Sequence, residues 1–136
     1  MRVKWGAMLK AFPLLLLVAI STNAVAEWVK FSETEQGTTV YVDPNTIRRS
    51  GKKVKMWNML DFKKTQVVAE VPFRSTKALH EYDCKEERFR MMSLSVHSNN
   101  LGLGNTVHSD SDPKQWTPIS PTSLESSLLE YVCKKR

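Results

Sequence analysis

Apolar and polar residues alternate in Thr39-Val40-Tyr41-Val42-Asp43, which puts Val40 and Val42 on one side of a strand and Thr39, Tyr41 and Asp43 on the other. The short run Glu27 to Phe31, with Trp28, Val29 and Phe31 as its core-seeking residues, precedes it across a polar Ser32 to Gly37 turn. Asp43-Pro44-Asn45-Thr46 is expected to end the strand, because proline fixes φ and an Asp side chain holds a turn. A Ser50-Gly51-Lys52 turn then leads into a long strand from Lys53 to Lys63, with Val54, Met56, Asn58, Leu60 and Phe62 on one face and Trp57 and Met59 on the other. Turn chemistry and not helical crossovers joins these runs, so antiparallel pairing follows.

Val71-Pro72-Phe73-Arg74-Ser75 reads as a loop. Between Lys77 and His97 the pattern predicts two strands joined by a tight connection or bulge near Lys85 to Glu87. Ala78, His80, Tyr82 and Cys84 share one face of the first, and Met92, Leu94 and Val96 share one face of the second; a helix over Glu81 to Met92 is the competing assignment. Asn99 to Asn105 is a turn, Thr106-Val107-His108 a short final strand, and Ser109 to Pro113 the break that ends the sheet. The period then changes. Leu124, Leu128, Tyr131 and Val132 recur at helical spacing, flanked by Leu129 and Cys133, after the helix-start residues Ser120-Pro121-Thr122-Ser123. Thr122 and Glu125 are placed as a capping box, and Lys134, Lys135 and Arg136 suit a helix C-terminus. The predicted fold class is α+β: an antiparallel sheet with one C-terminal helix packed on a face.

The first residues follow a different logic. Arg2, Lys4 and Lys10 precede the apolar stretch Ala11 to Ile20, and Ser21-Thr22-Asn23 leads into Ala24-Val25-Ala26, with no acidic residue before Glu27. That is the basic, apolar and small-residue order of a secretory signal, so residues 1–26 are expected to be cleaved between Ala26 and Glu27, leaving one domain over 27–136. A retained anchor is the alternative, although the uncharged stretch is short against the roughly 20 apolar residues that span a bilayer. No cysteine lies near the cleavage point to carry a lipid, so the product is expected without a lipid anchor, in the periplasm, secreted or at the cell surface. Cleavage removes three of the 20 Lys and Arg and none of the 14 Asp and Glu. The nucleic-acid reading that a pI near 9.4 invites thereby loses much of its support.

The two cysteines, Cys84 and Cys133, both fall in the exported part, where disulfides persist. Their bridge would close a 49-residue separation (133 − 84), worth about 4 kcal/mol as an upper figure in the chain-entropy treatment. It would bolt the helix onto the sheet. Neither a Cys-x-x-Cys redox pair nor metal-ligand spacing is present.

Candidate chemistry is sparse. His80, His97 and His108 lack metal-ligand spacing and read as strand-face or loop residues, so no metal is assigned and haem stays as the named small-ligand alternative. Asp110-Ser111-Asp112 reads as a turn and not a calcium loop. Gly102-x-Gly104 has Val107 where a dinucleotide fingerprint needs glycine. No nucleophile motif organises a Ser, His and Asp, so no catalytic residue is assigned and an enzyme is not expected. The candidate binding surface is Arg48, Arg49, Lys52, Lys53 and Lys55 with Trp57 beside them, around the turn after Ile47. It would take an anionic partner: an acidic protein segment, a sulfated glycan or lipid head groups. The competing account is a solvated, charged sheet edge that resists aggregation.

The order Glu27-Trp28-Val29, Tyr41-Val42-Asp43-Pro44-x-Thr46-Ile47, Val54-x-Met56-Trp57, Tyr82-Asp83-Cys84, Gly102-Leu103-Gly104, Trp116-x-Pro118 and a terminal helix ending in Cys133 resembles the surface-adhesin protein E family across the whole exported part. The resemblance implies an antiparallel sheet of about six strands with the C-terminal helix tethered across it. It also implies binding of host extracellular-matrix and plasma proteins, and an association with haem. The sequence departs from the family pattern in lacking the lipidation cysteine. A docking protein for a host matrix, plasma or bacterial envelope macromolecule is therefore expected, with a periplasmic small-ligand module of haem type as the alternative.

Overall fold

The computed structural model describes residues 26–134; residues 1–25, on which the expected signal peptide falls, and Lys135 and Arg136 lie outside the described residues. Seven strands form one antiparallel sheet: β1 (Val29–Glu33), β2 (Thr38–Ser50), β3 (Lys53–Val68), β4 (Val71–Asp83), β5 (Arg88–His97), β6 (Thr106–Asp110) and β7 (Thr117–Pro118). The first six pair in sequence order, and β7 pairs with the start of β5. A helix, α1 (Leu124–Lys134), follows all of them. Short turns between neighbours leave antiparallel pairing as the only economical geometry.

Alternation decides the two faces. Val42, Val54, Met56 and Tyr82 form the core with Leu128 and Val132 of α1, and Phe31, Ile47 and Phe89 pack around them. Phe31 meets Tyr131 edge-on, with ring centroids 5.5 Å apart. Fully burying each aliphatic side chain contributes about 1.5–3 kcal/mol, so this layer dominates the stability. Ser123 caps the helix, its Oγ accepting the amide of Ser126. The capping residue is thus Ser123 and not Thr122, because the first helical turn begins one residue later than the Pro121 signal suggests. At the other end the Arg49 guanidinium donates to the carbonyls of Val132 (3.2 Å) and Cys133 (3.3 Å), satisfying acceptors a helix leaves open. The Cys84–Cys133 bridge, with Cα atoms 5.8 Å apart, fixes the same end. Cys84 lies in the turn just past β4 and not within the strand, and its amide bonds the Lys52 carbonyl.

Four further expectations change. Asp43-Pro44-Asn45-Thr46 does not end β2. The ladder lapses between Asp43 and Arg48 and resumes, because the Thr46 hydroxyl donates to the Asp43 carbonyl (2.6 Å) and accepts the Trp57 amide (3.0 Å), bridging the place where Pro44 has no amide to give. Val71 to Ser75 is not a loop but the start of β4. Ala69 and Glu70 both have positive φ, 47° and 65°, and make a two-residue turn of the hairpin type that usually takes Asn or Gly. In the β4–β5 pairing the register slips between Leu79 and His80, skipping Met92, so Met91 and not Met92 pairs with His80 and lines the helix face. The tight connection between β4 and β5 is where the pattern puts it, and the competing helix does not form. His108 is not the last strand residue, since β6 runs on to Asp110 and β7 follows.

After β5 the loop 99–102 folds back over the helix-free face. The Gly102 amide and the Asn99 carbonyl meet the Ser75 hydroxyl (2.8 and 2.6 Å), and Asp61 accepts the Leu101 amide. Gly102, at φ 71°, needs its freedom here, because a Cβ would come 3.1 Å from the Lys77 stem.

Two variants test this packing. Leu128→Ala is expected to cost about 2–5 kcal/mol in chemical denaturation. Cys133→Ser should cost about 2–5 kcal/mol and should make the protein's stability indifferent to reductant, unlike the wild type.

Candidate functional site

The helix covers one face of the sheet, and the charged residues that the sequence groups around the β2–β3 turn are sorted by the pleat onto two sides. Arg49, opposite Val54 in the ladder, turns to the helix and leaves the cluster. Lys52 occupies the turn itself, exposed at the sheet end. Arg48, Lys53, Lys55 and Trp57 share the helix-free face, where Arg48 lies opposite Lys55, and Asp43 opposite Trp57. Arg48 donates to the carbonyls of Asn45 and Ile47, which holds its stem over the β2 bulge.

Register then adds residues the sequence reading missed. Across the ladders Lys53 neighbours Asp83 and then Arg88, while Lys55 neighbours Glu81 and then Arg90. Above them sits Trp116, with the Arg90 guanidinium 4.6 Å, the Arg88 guanidinium 4.7 Å and the Lys53 ammonium 5.4 Å from its ring centroid. All three lie within the range where a cation is attracted to the face of an indole. Each guanidinium also holds a carboxylate: Arg90 to Glu81 at 2.8 Å and Arg88 to Asp83 at 3.2 Å. These two ion pairs are half-shielded and fix the guanidinium planes. Among the described residues Lys53 and Lys55 carry no carboxylate partner, so five cations face two carboxylates and the patch stays positive. The signal that points to this grouping is the Arg88-x-Arg90 alternation together with Trp116, alone among polar neighbours, but only strand register joins them to Lys53.

Asp83 anchors the patch from below. Its Oδ1 accepts the amides of Lys85 and Glu86, both at 3.1 Å, and its Oδ2 accepts Arg88 Nε. The Glu86 amide first, then Arg88 and the Lys85 amide, hold its carboxyl below the ordinary 3.8.

The three histidines lie apart. His80 lines a cleft of about 100 Å³ between α1 and the sheet, with Asn58, Tyr82 and Leu124. Asn58 Nδ2 lies 2.9 Å from its Nδ1 and 3.3 Å from the Tyr82 hydroxyl. Burial pushes His80 down to about 4, so the ring is neutral at neutral pH. His97 is buried on the other face against Ser95, and His108 is on the edge strand β6. A haem does not fit beside His80, because the cleft is well below the ~300–1,000 Å³ that small-ligand pockets enclose. Among the described residues no three His, Cys, Asp or Glu side chains come together as a metal site, and no helix is long and apolar enough to cross a membrane.

A folded-state pKa below the ordinary value means that Asp83 stabilises the fold above that value and loses the contribution as pH falls through the folded pKa. Asp83→Asn is therefore expected to be less stable than the wild type at pH 7, and the gap should narrow below about pH 3.8. Denaturation midpoints measured at pH 7 and pH 3 check this.

Comparison with known proteins bears on the whole domain. The structure is similar to crystal form II of Haemophilus influenzae protein E, with a TM-score of 0.64 and 13% identity over 82% of this chain and 91% of that one. It is also similar to the selenomethionine form of the same protein (TM-score 0.61, 11% identity, 82% and 89% coverage). Protein E from non-typeable Haemophilus influenzae gives 0.52, 14% identity and coverage of 79% and 84%. No curated protein matches the sequence. At such identities these neighbours share the fold: antiparallel sheet, closing helix and overall strand layout. The family assignment comes from the sequence profile of surface-adhesin protein E, which matches residues 28–134; the chain belongs to the surface-adhesin protein E family and is an adhesin-like surface protein.

Proposed function

We propose that the protein is an exported, non-enzymatic docking protein that captures an anionic macromolecule, of host matrix or plasma or of the cell's own envelope, on the helix-free face of its sheet. In this reading residues 1–26 are the cleaved leader and 27–136 the working domain. The observation that carries it is the convergence of Lys53, Arg88 and Arg90 on the Trp116 ring, with Lys55 and Arg48 beside them. Tryptophan, tyrosine and arginine are enriched at binding hot spots, and here both guanidinium groups are already held by carboxylates, which lowers the cost of ordering them. A patch built only to keep a sheet edge soluble needs neither an indole nor fixed guanidinium planes.

The arrangement also divides the work. Arg88 and Arg90 are held by Asp83 and Glu81 and offer oriented donors. Lys53 and Lys55 have no such partner and supply long-range attraction, which salt screens. The family makes an adhesin role the natural context, and the identity of the partner is the proposal's own step.

Chemical crosslinking in intact cells expressing the precursor, combined with protease shaving and mass spectrometry, tests the reading. A Lys53→Ala/Lys55→Ala double variant should export and fold normally yet lose most of the crosslinked partner, with the remaining binding less sensitive to salt. Equal recovery of the same partners by wild type and double variant would sink the proposal.

A further inference from the structure

Next to the basic patch, on the same face, lies a second feature. Trp28, entering just before β1, and Trp57 of β3 line a cleft of about 250 Å³ with Asp43, Thr46, Lys77 and Ser95, closed at one side by Ala26, which cleavage after that residue would remove. Trp57 and Lys55 are two residues apart on one strand face, so cleft and patch are contiguous, roughly 7 Å apart along β3. The volume is below that of a drug-sized pocket and suits one ring-sized group.

The polar groups left open in the cleft define what that group is. Thr46 and Ser95 are already engaged, with Asp43 and Trp57 backbone atoms and with His97. Asp43 is only 3% exposed; its Oδ1 accepts the Asn45 amide at 3.2 Å, while its Oδ2 accepts no hydrogen bond among the described residues. The Lys77 stem is braced beneath Gly102, and its ammonium has no carboxylate partner among the described residues. One acceptor and one cationic side chain lining the same cleft as two indoles match a group that both donates and accepts hydrogen bonds and presents polarised C–H groups to the negative faces of aromatic rings. A hydroxylated sugar ring has these properties. An acidic peptide does not, since its carboxylates would be brought against buried Asp43.

We infer that the Trp28–Trp57 cleft is a saccharide subsite and that the macromolecule docking on this face is an anionic glycan, one sugar seated between the indoles and the sulfate or carboxylate groups of its neighbours on Lys55, Arg48 and Lys53. This rests on the docking reading above and names the partner's chemical class.

A size-defined heparin hexasaccharide, titrated into the exported protein while tryptophan emission and heat are followed, is the direct probe. Polyglutamate of equal charge and phosphatidylglycerol vesicles are the competing probes. The hexasaccharide should bind with salt dependence and shift the emission. Trp57→Ala and Trp28→Ala should each weaken it by about tenfold or more, and Asp43→Asn, which keeps an acceptor for the Asn45 amide, by less. Circular dichroism and melting establish that the variants fold; should Trp57→Ala fail, Trp28→Ala, outside the sheet, decides the matter. Unchanged affinity in a folded tryptophan variant overturns the subsite, as does equal binding of polyglutamate or vesicles. Absence of hexasaccharide binding while Lys53- and Lys55-dependent crosslinking persists removes the glycan and leaves the docking face standing. Crosslinking that ignores those lysines removes the docking face itself.

Discussion

Everything in this molecule depends on one helix closing one side of a meandering sheet. Leu128 and Val132 enter the hollow between Val42, Val54, Met56 and Tyr82, and among the described residues no other helix supplies an apolar lid for that side. An isolated helix of 11 residues is not stable in water, so α1 forms because the sheet accepts it. The attachment is reinforced at its C-terminal end, where Arg49 meets the last carbonyls and Cys133 is bonded to Cys84. Closing one side commits the other. Whatever the strands place on the opposite face is presented as a broad surface, with the loop 99–102, the segment around Trp28 and the Trp116 ring laid over parts of it.

That commitment explains why the charged residues group as they do. Neighbours in sequence are separated by the pleat, and residues far apart in sequence are united by register. Arg49 serves the helix while Arg48 serves the surface. Lys53, Arg88 and Trp116, which span half the chain, meet within 6 Å because β3, β4 and β5 are adjacent and β7 brings the Trp116 segment back to the start of β5. The carboxylates of Asp83 and Glu81 sit between the cationic strands in the same rows, and so moderate repulsion that would otherwise splay them.

The strands with clean alternation are legible in the sequence alone: Thr39 to Asp43, the face of Val54 and Met56, and the stripe of α1. Their signal is physical, since period and burial are tied together. What escaped was every place where side chains substitute for backbone chemistry. Thr46 carries the ladder past Pro44, and no pattern of hydrophobicity encodes that hydroxyl's two bonds. Ala69 and Glu70 adopt left-handed conformations without Gly or Asn, so the hairpin they close left no turn signal. Of the surface, the β2–β3 half could be named from sequence; Arg88, Arg90, Trp116, Trp28 and Lys77 could not, because their relation to it is one of register.

The helix that completes the core comes after all seven strands in the chain. A polypeptide made N-terminus first therefore lays out its strands with Val42, Val54 and Met56 still wet, and cannot finish its interior until the last segment arrives. The disulfide has the same timing, since its second sulfur is carried by that segment. Such an order keeps the chain pliable until its last segment is available, and makes final compaction and cross-linking a single late event.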